Sequence, residues 1–420
     1  MRPLREGLTG RVVTVGVAVS FPLVCTTTGS AGGTKDWRIG EPIATYWAGP
    51  ALSDAAAQQM RDGGWNLVWC GEGELDVAQR FGLRAQLTDP LLAPATLEDE
   101  AQRAKLDALI ERVRLHPALY SYFLTDEPNA AAFPGWGQLV AYLRERDPAH
   151  LAYINLFPTY ASNEQLGTTG DPVTAYGEHL RQYVEIVKPG LISYDHYHFR
   201  TDGDGDQYFL NLAMIRRAAL DAGVPFLNIV QASSWDPAMR VPNGRGMRFL
   251  VYTSLAYGAQ GISYFVYRYA GIRGAMADEA GEPTSLYHAV KPLNRQFVAI
   301  ARELQPLRSL GAYHAGMVPP GAEALPVDSE FGLDPPLPST PYQAPVKGLL
   351  LGCFGKSLRP THVVVVNLDY SSGVTAVLVG PGPLEVFQAG SGRWLPAPEG
   401  QRAPLRLPPG GGKLVRIAAR

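Results

Sequence analysis

Leu119-Tyr120-Ser121-Tyr122-Phe123-Leu124-Thr125-Asp126-Glu127-Pro128 is an apolar run that ends in two acids and a proline. Both faces of the run are apolar or aromatic, so it does not fit a half-wet antiparallel strand. It fits a parallel strand covered on both sides. Seven more runs of this kind occupy 43–47, 66–70, 83–87, 152–157, 191–194, 225–230 and 261–266. Amphipathic segments lie between them and after the last, at 53–61, 96–115, 173–187, 208–222, 246–257 and 285–304. Ser53 supplies an N-cap and Gly63-Gly64 a stop, while Glu98, Asp99 and Glu100 place acids in a first turn. Strand onsets are about 17 to 40 residues apart, as βα units require. Eight units in order predict an α/β fold, a (β/α)8 TIM barrel spanning 37–310. A doubly wound open sheet is the alternative.

The texture changes beyond the barrel. Residues 311–345 are proline-rich without helical period and read as a linker. Short β-like runs follow at 348–354, 362–367, 375–379, 384–387 and 413–417, predicting a small all-β, sandwich-like domain over 346–420. At the other end, Arg2, Arg5 and Arg11 precede a largely apolar run of fourteen residues, 12–25, and then small residues up to Ala31. That order predicts a secretory signal over 1–31 and an exported protein. The apolar stretch is too short for a comfortable membrane span. Val24 before Cys25 is larger than a lipidation site favours, so a lipoprotein anchor at Cys25 is disfavoured.

Composition sets limits. The 420 residues carry 37 basic against 39 acidic side chains, a net charge of −2, which leaves no electrostatic footprint for nucleic acid or an anionic membrane. Apolar residues at 46% and charged at 18% permit a large core. Beyond Cys25 only Cys70 and Cys353 remain, so no disulfide framework is expected. No zinc-type spacing, GxSxG, phosphate loop or dinucleotide fingerprint occurs, and neither metal nor cofactor is expected.

In a barrel of this kind, chemistry gathers at the C-terminal strand ends. Those ends carry Tyr46 and Trp47, Glu72, Asp126 and Glu127, Asn155, Asp195, His196 and Tyr197, Gln231 and Trp235, and Tyr267 and Arg268. The sharpest feature is Asp126-Glu127. Adjacent carboxylates at a partly desolvated mouth cannot both ionise freely, so one is raised into the general-acid range. The bland alternative is that both acids cap the next helix. Trp47, Trp69 and Trp235 suit sugar stacking or an ordinary core. Asp202-Gly203-Asp204-Gly205-Asp206 begins like a calcium loop, but its twelfth position is Ala213, so an EF-hand is rejected. His196 and His198 alternate and so face opposite ways; His196 is the candidate hydroxyl partner and His198 a packing residue.

Thr125-Asp126-Glu127-Pro128 resembles the Asn-Glu-Pro signature that ends strand four in clan A glycoside hydrolases. The run 254–268, from Ser254 to Tyr267-Arg268, looks like the strand-eight region of family 42 β-galactosidases. The resemblance implies a glycosidase acting on a carbohydrate, with Glu127 as acid/base and Asp126 where the family has asparagine. One departure stands out. The family's strand-seven glutamate has no counterpart in Asn228-Ile229-Val230-Gln231, and Asp195 is the replacement candidate for nucleophile. Asp126-Glu127 is also similar to the dyad of substrate-assisted N-acetylhexosaminidases, which need no protein nucleophile. A catalytically silent carbohydrate-binding barrel is the third reading.

Overall fold

The computed structural model describes residues 40–418; the leader expected over 1–31, with Cys25, lies outside them. Eight parallel strands form one sheet: β1 (Ile43–Ala44), β2 (Leu67–Cys70), β3 (Arg84–Leu87), β4 (Leu119–Asp126), β5 (Leu151–Leu156), β6 (Ile192–His196), β7 (Phe226–Gln231) and β8 (Gly261–Phe265). Their order is β1-β8-β7-β6-β5-β4-β3-β2. The remaining seam, between β1 and β2, is stitched partly by side chains. The Ala44 N–H donates to Asn66 Oδ1 at 2.9 Å, and Thr45 Oγ1 donates to the Leu67 carbonyl at 2.9 Å. The expected barrel is therefore present and nearly closed.

The uninterrupted apolar runs have a simple cause. All six residues of β7 are buried, Leu227 and Ile229 in a cluster of strand residues and Asn228 towards the helices, where it donates to Ser254 Oγ at 3.0 Å. Eight helices cover the outside: α1 (Asp54–Asp62), α2 (Leu75–Arg80), α3 (Glu100–Val113), α4 (Phe133–Arg146), α5 (Pro172–Gln182), α6 (Tyr208–Ala222), α7 (Gly244–Tyr257) and α8 (Ser285–Leu304). Two of them, α2 and α4, lie outside the amphipathic segments read from the sequence. The first has only six residues. The second contains Pro134, Gly135 and Gly137 in its first turns, where proline is tolerated because the early N–H groups have no intrahelical partner. Gly137 is required by packing, since a Cβ there would stand 2.6 Å from the Ile186 carbonyl oxygen.

The C-terminal domain begins earlier than expected. Within the stretch 311–345 read as a linker, most of β9 (Arg308–Gly316) is already sheet, paired with β10 (Gly348–Gly355). The domain continues with β11 (His362–Asn367), β12 (Val374–Val379), β13 (Leu384–Gln388), β14 (Arg393–Pro396), β15 (Arg402–Leu407) and β16 (Gly412–Ile417). These strands form a seven-stranded and a three-stranded sheet, counting two-residue edge pieces at 323–324 and 332–333. The run Val363-Val364-Val365-Val366 serves both faces. Val363 and Val365 join the sandwich core, while Val364 and Val366 join the core shared with the barrel helices. At Gly352 the backbone of α7 comes so near that a Cβ would overlap the Ala256 carbonyl at 2.0 Å. Trp394 belongs to this packing. Its indole N–H donates to Glu303 Oε2 at 3.1 Å and Arg416 lies over its ring.

Candidate active site

A bulge in β4 decides which side chains reach the barrel mouth. Phe123 pairs with Tyr153 and Asp126 pairs with Asn155, so three steps on β4 match two on β5. Strict alternation would turn Phe123 and Asp126 to opposite faces. The extra residue lets both face the lumen with Tyr153 and Asn155. Beyond Asp126 the chain turns sharply. Glu127 has φ of 45°, a left-handed value that costs a side-chain-bearing residue energy, and it precedes Pro128, which restricts it further. Its N–H is anchored on the Asn155 carbonyl at 2.9 Å.

Asn155 is the hub of the cluster. Its amide nitrogen donates to Asp126 Oδ1 and to Asp195 Oδ1, each at 3.0 Å. Ser193 Oγ donates to the Asn155 oxygen at 2.9 Å, and Tyr153 OH lies 2.6 Å from Ser193 Oγ. With Ser193 spent as donor, the tyrosine hydroxyl supplies the proton of the last contact. This chain holds the amide so that its N–H groups face the acids. Asp195, 3% exposed, also accepts from the Tyr197 hydroxyl and is hydrogen-bonded to the Glu127 carboxyl.

Three acids thus meet with an amide and hydroxyls. Burial pushes the Glu127 carboxyl well above the ordinary carboxylate range, and the charges of Asp195 and Asp126 push it further. Asp195 is also raised, by burial first and then by Asp126. Asp126 is raised by burial, although it opens to solvent and is therefore better hydrated. Both carboxyls are thus pushed towards their protonated forms, because two such acids side by side and buried cannot both carry a full charge. The group can deliver a proton to an incoming oxygen, and a neighbouring carboxylate can face a developing positive charge.

Aromatic rings wall the mouth. Trp69 lies edge to face 4.7 Å from Trp47 and tilted 4.6 Å from Phe123 on one side; Trp235 lies 4.5 Å from Tyr197 and 4.9 Å from Phe265 on the other. Trp235 keeps 40% of its surface exposed, and Tyr160 keeps 44%. Tyr160 OH accepts from the Tyr197 N–H at 3.2 Å.

Of the residues read as site candidates, the mouth gathers Asp126, Glu127, Asn155, Asp195, Tyr197, Trp47 and Trp235. The others go elsewhere. Tyr46 is fully buried against Tyr267, whose hydroxyl donates to Gln59 Oε1 at 2.5 Å. Glu72 is engaged by Arg112 at 2.6 and 2.9 Å, which holds its carboxyl below the usual range. His196 turns to the helix side, with Nδ1 2.9 Å from Asn211 Oδ1, and burial lowers it to about 3. Gln231, at the end of β7, spends its amide on the Phe199, Ser233 and Arg240 backbone. Arg268 rests its guanidinium against Gly281. Tyr160, Tyr153 and Ser193 escaped the sequence reading; Tyr160 carried one signal, an aromatic residue in the loop after strand five. In the alternating-acid loop, Asp204 is bound to Arg240 and Tyr370. Among the described residues no group of three or more His, Cys, Asp or Glu side chains is arranged to hold a metal ion.

No protein-family profile matches this chain. No curated protein matches it either. Among solved structures it is similar to a glycoside hydrolase at 12% identity, covering 90% of this chain and 92% of that one with a TM-score of 0.53. It is also similar to a family 5 glycoside hydrolase from Bacteroides vulgatus, at 13% identity, 91% and 95% coverage and a TM-score of 0.52. Likeness at this identity shows a shared fold extending over barrel and C-terminal domain together, and it does not single out family 42.

Proposed function

We propose that this chain hydrolyses glycosidic bonds, with Glu127 as the acid that protonates the leaving oxygen. One observation carries the reading: a strained strand end presents a carboxyl, raised by burial and by the charges of Asp195 and Asp126, on a floor walled by tryptophan and tyrosine. Aromatic walls suit the apolar faces of sugars, and a carboxyl raised towards neutrality suits general acid work. The fold shared with two glycoside hydrolases supports the same class.

In this mechanism the Glu127 proton passes to the glycosidic oxygen as the C1–O bond breaks. The electron pair leaves with the oxygen, and the positive charge growing at the anomeric carbon faces the Asp195 carboxylate; a water oxygen then bonds to that carbon and its released proton restores the acid pair. Asn155 and Tyr197 hold Asp195 in place. Retaining carboxyl pairs stand about 5–5.5 Å apart and inverting pairs about 6.5–9.5 Å. Here Glu127 is hydrogen-bonded to Asp195, so an incoming sugar must part the two groups before it takes a proton from Glu127.

The test is turnover of a panel of aryl glycosides, N-acetylated ones included, by the wild type and Glu127→Gln. Loss of activity on substrates with poor leaving groups is expected. No turnover of any glycoside by the wild type would discard the hydrolase reading. Export through residues 1–31 belongs to the same proposal, and the N-terminal sequence of the secreted protein checks it. Among the described residues no helix is long and apolar enough to cross a membrane.

A further inference from the structure

A second cavity, of about 440 Å3, opens at the opposite end of the barrel, where β7 and β8 begin at Phe226 and Gly261. The first C-terminal strands, β9 and β10, close its far side. Three cations converge on it: Arg216 from α6, Arg308 from β9 and Lys356 just beyond β10. None of the three forms an ion pair among the described residues. Arg216 donates from Nε to Ser309 Oγ at 2.8 Å and from a terminal nitrogen to the Ser309 carbonyl at 3.2 Å, leaving other N–H groups uncommitted. Burial lowers its pKa, and Glu323, the carboxylate whose charge it feels, is not in contact with it.

Two more polar groups in the lining lack partners. Gln260 Oε1 and Gln305 Nε2 are buried without a hydrogen bond, a cost that native structures rarely carry. Near the ends of the flanking helices, the Ala219 and Leu220 carbonyls of α6 accept from the Val224 and Gly223 N–H groups, and the Ser254 and Leu255 carbonyls of α7 from Ala259 and Gly258. Positive charge is thus gathered here without a carboxylate partner, and Leu220, Phe226 and Phe354 give the same cavity an apolar floor.

We infer that this cavity binds a small organic anion, its charged head held by Arg216, Arg308 and Lys356 and its body lying on the apolar floor. The volume falls within the range of about 300–1,000 Å3 usual for small-molecule sites. The site is separate from the carboxylate mouth, and the inference does not depend on the hydrolase reading.

Calorimetric titration of the full-length protein with phenyl phosphate tests it, with benzyl alcohol as the neutral arm and inorganic phosphate as the arm lacking a body. Saturable phenyl phosphate binding is expected with Kd below about 1 mM, weaker binding of inorganic phosphate, and none of benzyl alcohol. The double variant Arg308→Gln/Lys356→Gln, both at the exposed rim, should keep the wild-type melting temperature and bind at least about tenfold more weakly. Absence of saturable binding up to about 10 mM would overturn the inference. So would equal affinity for benzyl alcohol, or unchanged affinity in the double variant.

Discussion

Asp195 and Asp204 lie nine residues apart in the chain, and both carboxylate side chains are about 3% exposed. Their surroundings are opposites. Asp204 accepts from Arg240 at 2.7 Å and from the Tyr370 hydroxyl at 2.5 Å, with His198 Nε2 at 3.6 Å. Tyr370 belongs to the C-terminal domain, so this compensated charge ties that domain to the loops following β6 and β7. Asp195 receives an amide, a hydroxyl and the carboxyl group of Glu127. The same fold thus spends a cation where it needs a lock and withholds one where a proton must be held. A buried charge with its partner in place is structural. A buried charge beside other acids is poised to change its protonation.

Four changes would break or sharpen this contrast. The largest effect falls on the poised site: Glu127→Gln should lower turnover of an unactivated glycoside by about 10²–10⁴-fold, the span of general acid catalysis. In the same region Asp195→Ala should slow turnover, and azide should rescue it as a glycosyl azide if Asp195 attacks carbon. Product analysis by mass spectrometry decides that role, and full activity of the variant would remove Asp195 from the chemistry. At the lock, Arg240→Met should destabilise the fold by about 3–5 kcal/mol, because it strands Asp204 without its cation. Tyr370→Phe should cost less, about 1–2 kcal/mol. Denaturant titration measures both, and an unaltered midpoint in Arg240→Met would remove the contrast.

The smallest effect concerns stability against pH. Glu127 and Asp195 have folded pKa values above their unfolded ones. Their contribution to stability is complete below about pH 4, near the unfolded values, and is lost as pH rises through the raised folded values. Glu127→Gln removes that loss. The variant should melt about 1–3 °C above the wild type at neutral pH, with the two curves converging near pH 4. A gap that widens towards acid would contradict the raised carboxyls.

Much of the site was readable because strands alternate. Asp195 inward implies Tyr197 inward and His196 outward, and the structure follows that rule. The same parity allows only one of Tyr46 and Trp47 into the mouth. Taking both members of such pairs as site residues ignored a constraint already present in the chain. The bulge at Leu124 was a different matter. Nothing local to 119–126 marks it, since it arises from how β4 pairs with β5. Glu72 and Gln231 were equally opaque, because Arg112 and the Phe199 backbone lie about forty and thirty residues away in sequence.

The chain alone determined the eight buried runs, the parallel barrel they imply, the trailing β-domain and the acid-bearing end of strand four. Each of these rests on short-range patterning, in which apolar period, caps and turn residues act within one element. Tertiary structure decided that Asp126 and Asp195 share the Asn155 amide beside the Glu127 carboxyl, that β9 leaves the supposed linker for the sheet, and that Tyr370 locks the domains together. Those outcomes depend on contacts between residues distant in sequence, whose energies appear only once backbone pairing has fixed which side chains meet.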